Sequence, residues 1–189
     1  MNVFALIGPM GTGKTTLYNK LIERGLVGIK EMTTRPMRLG EENSNQYIFV
    51  DDETFKEDFR DKQVIGASSF IVSSGDVYKY GFNVHSLPID CEEDCVVQAN
   101  YQNINDLKEF YGKDLIVIKL SRDVEDIIKS VSERGDDLSE IKRRLKKDIS
   151  IYENVKADYT LSNLDIDIFL FLINNMRWLI FQNMVQRKW

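Results

Sequence analysis

The sequence predicts an α/β fold built on a mainly parallel sheet. Three observations carry that expectation. Short apolar runs alternate with segments of helical period along the chain, as in a parallel sheet with crossover helices. The first run, Val3-Phe4-Ala5-Leu6-Ile7, leads directly into a glycine-rich turn and then a helical segment. The clearest buried run, Leu115-Ile116-Val117-Ile118-Lys119-Leu120, lies far downstream, with helical segments before and after it. At 189 residues the chain is about one domain, long enough for a sizeable core.

Taken in order, Val3–Ile7 reads as a short buried strand. Residues 14–24 read as a helix, with Leu17, Leu21 and Ile22 on one face and Gly25 as the stop. Residues 28–50 are polar and turn-rich and end in the strand-like Gln46-Tyr47-Ile48-Phe49-Val50. The next twelve residues read as a helix, with Asp51 or Asp52 as N-cap and Phe55 and Phe59 one turn apart. Strands are expected over 64–72 and 77–83, joined through Ser73-Ser74-Gly75-Asp76. Cys95–Ala99 reads as a third short buried strand, 104–112 as a helix and 115–120 as a strand. Helical pattern resumes from Asp123 to about Lys156, broken at Arg134-Gly135-Asp136-Asp137, and Asp158–Ser162 could form a last short strand. The tail from Asp165 reads as a long helix. Asp167, Asn174, Asn175, Arg177 and Gln182 interrupt its apolar stretch, so it lacks the ~20 uninterrupted apolar residues of a membrane span. It reads instead as a helix packed on the sheet, with a homodimer interface as the other use.

Composition is that of a globular protein: 43% apolar and 29% charged, with net charge −5. That balance argues against general adhesion to nucleic acid or to an anionic membrane, while leaving room for a local basic pocket. Two cysteines, Cys91 and Cys95, make neither a disulfide framework nor a zinc site, and both are expected to be reduced and structural. With His85 the only histidine, a histidine triad or multi-histidine metal centre is not expected. The N-terminal apolar run ends in the glycine turn and lacks a charged leader, so the expected compartment is the cytoplasm.

Gly8-Pro9-Met10-Gly11-Thr12-Gly13-Lys14-Thr15 fits the complete Walker A pattern, between a strand and a helix as that motif requires. Glycines at 8, 11 and 13 let the backbone curl so that its N–H groups converge on an anion. The helix N-terminus adds partial positive charge at the same place. Lys14 can reach the β- and γ-phosphates, the Thr15 hydroxyl can ligate Mg²⁺, and Thr16 continues the first turn. The motif alone does not name a reaction.

Thr33-Thr34-Arg35-Pro36-Met37-Arg38-Leu39-Gly40-Glu41 places two arginines three residues apart, with Tyr47 close behind. Two guanidiniums and a phenol can hold one phosphate through directed hydrogen bonds. By spacing alone the stretch reads equally as a solvated basic loop whose arginines pair with Glu41 and Glu42.

This stretch resembles guanylate kinases, whose pattern is close to T-T-R-x-P-R-x-G-E followed by a Tyr, F-V and a helix with Phe. Here these are Arg35, Arg38, Glu41, Tyr47, Phe49-Val50 and Phe55, with the proline one place early. Tyr80-Gly81 resembles the family's Y-G, and residues 132–145 resemble its lid, supplying Arg134 and Arg144. Asn163 stands where the family often has V-N near the adenine. The resemblance covers roughly residues 1–165.

It implies a P-loop kinase core with a mainly parallel sheet flanked by helices, a small β-rich acceptor-binding subdomain and a helical lid. The core would be about 1–30 and 86–189, the acceptor-binding part about 31–85, and the lid about 122–142, all within one domain. It further implies ATP with Mg²⁺ as cofactors and a nucleoside monophosphate as partner. Lys14, Arg134 and Arg144 would be catalytic, and Gly8, Gly11, Gly13, Lys14, Thr15, Thr16 and Asn163 would bind ATP. Arg35, Arg38, Tyr47 and Tyr80 would hold the acceptor phosphate.

The departures gather in the base pocket. Glu31 stands where the family has a Ser four residues before the first arginine. Gly66 replaces a Glu that contacts guanine, and Gln98-Ala99-Asn100 replaces a D-I-D segment. Glu31 could accept from guanine in their place, whereas Gln98 and Asn100 could read another base. The leading expectation is phosphoryl transfer from ATP to GMP or dGMP, with an altered base choice left open by these departures. A kinase of a phosphorylated sugar such as ribose 1,5-bisphosphate, a non-catalytic guanylate-kinase-like binding module and another NTPase are the alternatives. The N-K-x-D motif of GTPases is absent.

Overall fold

A computed structural model describes residues 1–43, 45–72, 75–132 and 138–162, together with positions 169, 171 and 173; the side chains of 138–140 and 144 are not described. All five residues of β1 (Val3–Ile7) are buried, as a strand covered on both faces requires. It lies in the middle of a five-stranded parallel sheet. On one side are β7 (Cys95–Gln98) and then β2 (Val27–Ile29); on the other are β8 (Leu115–Ser121) and then β9 (Tyr159–Ser162).

Alternation along β1 divides the core. Val3, Ala5 and Ile7 pack with Val97, Leu107, Val117 and Tyr152, while Phe4 and Leu6 pack with Leu17, Tyr18, Leu21, Ile118 and Leu120. Leu17, Tyr18 and Leu21 are the buried face of α1 (Lys14–Glu23). Gly25 ends that turn at φ +94°, its N–H donating to Ile22. Phe169 and Ile173, four residues apart in helical conformation, bury against the same face, and Phe171 between them is 67% exposed. The rest of the expected tail helix, with any dimer contact through it, lies outside the described residues.

A second sheet has four strands in the order β4 (Tyr47–Phe49), β3 (Glu31–Thr33), β6 (Val77–Asn83), β5 (Val64–Ile71). Its β5–β6 pairing is antiparallel, with a bulge between Ile65 and Ser68. Helix α2 (Asp52–Arg60) begins at Asp51, whose side chain accepts from Thr54 N–H at 2.7 Å, so Asp51 rather than Asp52 is the cap.

Helix α3 (Ile104–Tyr111) buries Ile104, Leu107 and Tyr111 on one stripe. Helices α4 (Val124–Ser132) and α5 (Leu138–Glu153) pack through Ile127, Val131, Ile141 and Leu145, with Met10 of the glycine turn against them.

Among the described residues, the local structure of 28–50 departs from the expectation. That segment contains most of β2 and all of β3 as well as the expected strand at its end. Each is three residues long, too short for a period to show. Cys91 and Cys95 are free, and burial pushes the Cys95 thiol up to about 12, which keeps it unreactive. Among the described residues, no helix is long and apolar enough to cross a membrane.

Candidate functional site

The glycine turn follows β1 with positive φ at Gly8, Gly11 and Gly13. Side chains are excluded there by contact as well as conformation. A Cβ on Gly8 would stand 2.5 Å from the Leu120 carbonyl oxygen, and one on Gly11 would stand 2.7 Å from methyls of Ile127 and Val131. The buried Thr12 hydroxyl ties the loop by donating to Pro9 O at 2.9 Å. Lys14 folds back and donates to Gly8 O and Pro9 O, both at 2.8 Å. These acceptors are uncharged, and burial lowers the Lys14 pKa to about 8, with nearby Asp148 opposing the shift. The exposed Thr15 hydroxyl faces the side-chain oxygens of Gln98 at 3.4 Å and Gln46 at 3.5 Å. Thr16 is exposed on the same first turn of α1.

Opposite, Arg35 follows β3. Its N–H donates to the Thr33 hydroxyl at 3.1 Å, and its guanidinium grips both oxygens of Glu41, at 2.8 and 3.0 Å. The same guanidinium lies over the rings of Tyr47 and Phe49, 4.9 and 5.2 Å from their centroids. Burial works against its charge, but the Glu41 contact outweighs this and raises its pKa. Arg38 contributes its backbone N–H to Glu41 at 2.8 Å. Of the two readings that the spacing left open, the pairing with Glu41 is thus real, yet it does not carry the loop away from the cleft. Tyr47 and Tyr80 meet edge to face, 6.4 Å between centroids.

A single cleft of about 710 Å³ joins the two ends. Gly8 and Lys14 line it on one side; Glu31, Arg35, Arg38, Tyr47 and Tyr80 line it on the other; Gln98 and Asn100 lie between. Glu31 is only 8% exposed and accepts from the Asn103 side-chain amide at 2.9 Å. Burial pushes its pKa up to about 8, with the Asn103 bond pulling down. Asn100 is less available than its side chain suggests. Its oxygen already accepts the N–H groups of Gln102 and Asn103, at 2.8 and 3.1 Å, and its amide nitrogen reaches Ser68. Gly66 has φ +61°, and a Cβ there would stand 2.8 Å from the Asn103 Cβ.

Of the expected lid and adenine residues, Arg134 and Asn163 lie outside the described residues, as does the Arg144 side chain. From α5, Arg143, Lys147 and Asp148 reach the cleft. Asp148 accepts the Met10 N–H of the glycine turn at 3.1 Å. Sequence reasoning missed Asp148 and Asn103. A signal for Asp148 exists: it stands seven residues after Ile141, an acid on an otherwise apolar stripe.

A Walker A turn closing the central strand of a parallel sheet, with a mixed sheet facing it across one cleft, defines a P-loop α/β nucleotide-binding fold. The guanylate kinase family model matches residues 1–176. The chain belongs to the guanylate kinase family. It is 32% identical over 182 residues to a guanylate kinase of Wolbachia pipientis, covering 87% of this chain and 83% of that one. It is 29% identical over 174 residues to one of Bradyrhizobium diazoefficiens, covering 87% of this chain and 76% of that one. The solved guanylate kinase of Anaplasma phagocytophilum shares the fold at a TM-score of 0.66 and 22% identity, covering 93% of this chain and 83% of that one.

Proposed function

We propose that this protein transfers the γ-phosphoryl group of ATP to a nucleoside monophosphate, with GMP or dGMP as acceptor. The observation that supports this best is the shared cleft, with Lys14 at one end and Arg35, Arg38, Tyr47 and Tyr80 at the other. Phosphoryl transfer needs two anions held in line with their charge neutralised, and little covalent help. The glycine turn and the N-terminus of α1 would cradle the triphosphate. Lys14 would leave its carbonyl partners for the β- and γ-phosphates, which restore its full charge. Arg35, held flat by Glu41 and two rings, would present its remaining donor edge to the acceptor phosphate together with Arg38 and the two phenols.

Mg²⁺ fits the hydroxyl of Thr15 together with phosphate oxygens. Among the described residues no cluster of three or more acidic, histidine or cysteine side chains offers a separate metal site. Bound there, the ion would neutralise charge on the transferring group. The two sheets support the division into a core of about 1–30 and 86–189 and an acceptor-binding part of about 31–85, with a lid of about 122–142. Arg134 of that lid and Arg144 just beyond it would close on the phosphates, Asn163 would meet the adenine, and cytoplasmic residence follows from such substrates.

A second reading, a kinase of a phosphorylated sugar such as ribose 1,5-bisphosphate, draws on Gly66, where no side chain reaches the acceptor. The test is ADP formation from Mg²⁺–ATP against GMP, dGMP, IMP, AMP, CMP, UMP, dTMP and ribose 1,5-bisphosphate. Turnover with a nucleoside monophosphate is the expected result. Turnover with the sugar phosphate alone would favour the second reading, and ATP binding without turnover on any acceptor would refute both.

A further inference from the structure

Glu31 and Asn103 form a buried polar pair at the cleft, brought together from different parts of the fold. Glu31 opens β3 of the mixed sheet, and Asn103 immediately precedes α3 of the core. Asn103 is wholly buried and engaged at both ends of its amide. Its oxygen accepts Asn100 N–H at 2.7 Å, and its nitrogen donates to Glu31 Oε1 at 2.9 Å. Turning the amide over would break both bonds, so the donor must face the carboxylate. Glu31 is in the opposite situation. A carboxylate has about four acceptor sites, and among the described residues Asn103 supplies its one side-chain hydrogen bond. A buried carboxylate so short of donors is costly unless something else supplies them. Because Glu31 lines the cleft, a bound ligand can. No side chain from position 66 can take that place, since even a Cβ there would collide with Asn103. Phe70, which meets both Tyr80 and Tyr101 edge to face, lines the same cleft with them, and the three rings offer apolar surface for a base.

We propose that Asn103 positions Glu31 to read the base of the acceptor, and that the pair selects a base with two adjacent N–H donors on one edge. Guanine has that edge in N1–H and its exocyclic amine. Hypoxanthine offers one donor there. Adenine and cytosine place a ring-nitrogen acceptor beside their amine, which would face a carboxylate lone pair. Uracil and thymine offer one N–H between two carbonyls. The inference rests on the kinase reading above and assigns the residues that choose its acceptor.

The test uses GMP, IMP and AMP, with kcat and KM from ADP formation and acceptor Kd from calorimetry on the intact protein. At a pH above about 8, where Glu31 is ionised, wild type is expected to rank GMP over IMP over AMP. Glu31→Gln can still accept from Asn103 but loses the charge and one acceptor. It should weaken GMP by about 30-fold and change AMP by less than about threefold. Asn103→Ala should raise the GMP KM about tenfold, leaving kcat and the ATP KM within about twofold, as expected of a positioning residue. Should that variant unfold, Asn103→Asp keeps the acceptor for Asn100 N–H and lacks the amide donor, so it too should lose GMP preference. A wild type without base preference, equal losses for GMP and AMP in Glu31→Gln, or an unchanged ratio in both Asn103 variants would overturn the proposal while leaving the kinase reading intact. If no acceptor turns over, the kinase reading fails. The calorimetric ranking then decides alone: preserved order supports base reading, and equal Kd values overturn it.

Discussion

Lys14 reaches the cleft from the parallel sheet and Arg35 from beside the mixed one, and the two cations are kept in opposite ways. Lys14 rests on two backbone carbonyls, desolvated, with its pKa drawn down to about 8. Arg35 is locked to a carboxylate and stacked on two rings, with its charge secured. An ammonium can lose its proton when buried, and a guanidinium cannot. One end of the cleft therefore holds a charge that its ligand must complete; the other holds a charge already completed and aimed. On the proposed function, the first suits the group that is transferred and the second the group that is only held.

The sharpest way to break this contrast is Lys14→Ala. It should lower kcat at least ~100-fold with the fold intact by circular dichroism, and near-normal turnover would remove Lys14 from the chemistry. Next comes Arg35→Ala, which should raise the acceptor KM about 30-fold and leave the ATP KM within about twofold. Equal effects on both would dissolve the distinction between the two ends.

Proton linkage gives a third, smaller test. Unliganded Lys14 loses its proton above pH about 8, whereas phosphate keeps it charged. Affinity for a non-hydrolysable ATP analogue should thus fall about tenfold from pH 8 to 9.5, and the fall should vanish in Lys14→Met. Glu31 titrates with the opposite consequence. It is neutral below about 8 and faces Tyr47 and Tyr80, which have raised pKa values, with the Arg35 guanidinium beyond. GMP affinity should therefore rise as pH increases towards 8, and Glu31→Gln should flatten that rise. The smallest expected effect belongs to Glu41→Gln. It leaves the rings under Arg35 but loosens the guanidinium plane, raising the acceptor KM about threefold. A larger effect than Arg35→Ala would mean that Glu41 itself meets the ligand.

What could be read in advance follows the same division. The glycine turn was legible because its job is done by contiguous backbone, and every glycine needed for it stands in one octapeptide. The Arg35–Arg38–Tyr47 stretch was legible as residues but not as geometry, since its spacing allowed a phosphate pocket and an ion-paired loop alike. Strands β2 and β3 escaped because three residues carry no period; their pairing with β7 and β6 exists only once the chain has folded. Asn103 and Asp148 escaped for a related reason. Their partners, Glu31 and Met10, are 72 and 138 residues away in sequence, and nothing local announces either meeting. Glu31 was legible as a departure from the family pattern, while the amide that holds it was not.

The crowding at Gly66 also constrains the history open to this chain. A side chain at that position requires both a backbone that leaves φ +61° and a neighbour at 103 that withdraws by more than the flexing of a flexible tip, because the obstacle is the Asn103 Cβ itself. A single substitution at 66 therefore meets a steric barrier, which falls only if position 103 gives up its own Cβ or its backbone moves away. Shrinking 103 removes the donor that steadies Glu31. On the base-reading proposal, the route from an acid on β3 to an acid on β5 passes through an intermediate whose Glu31 has lost its steadying donor, and each arrangement thereby holds itself in place.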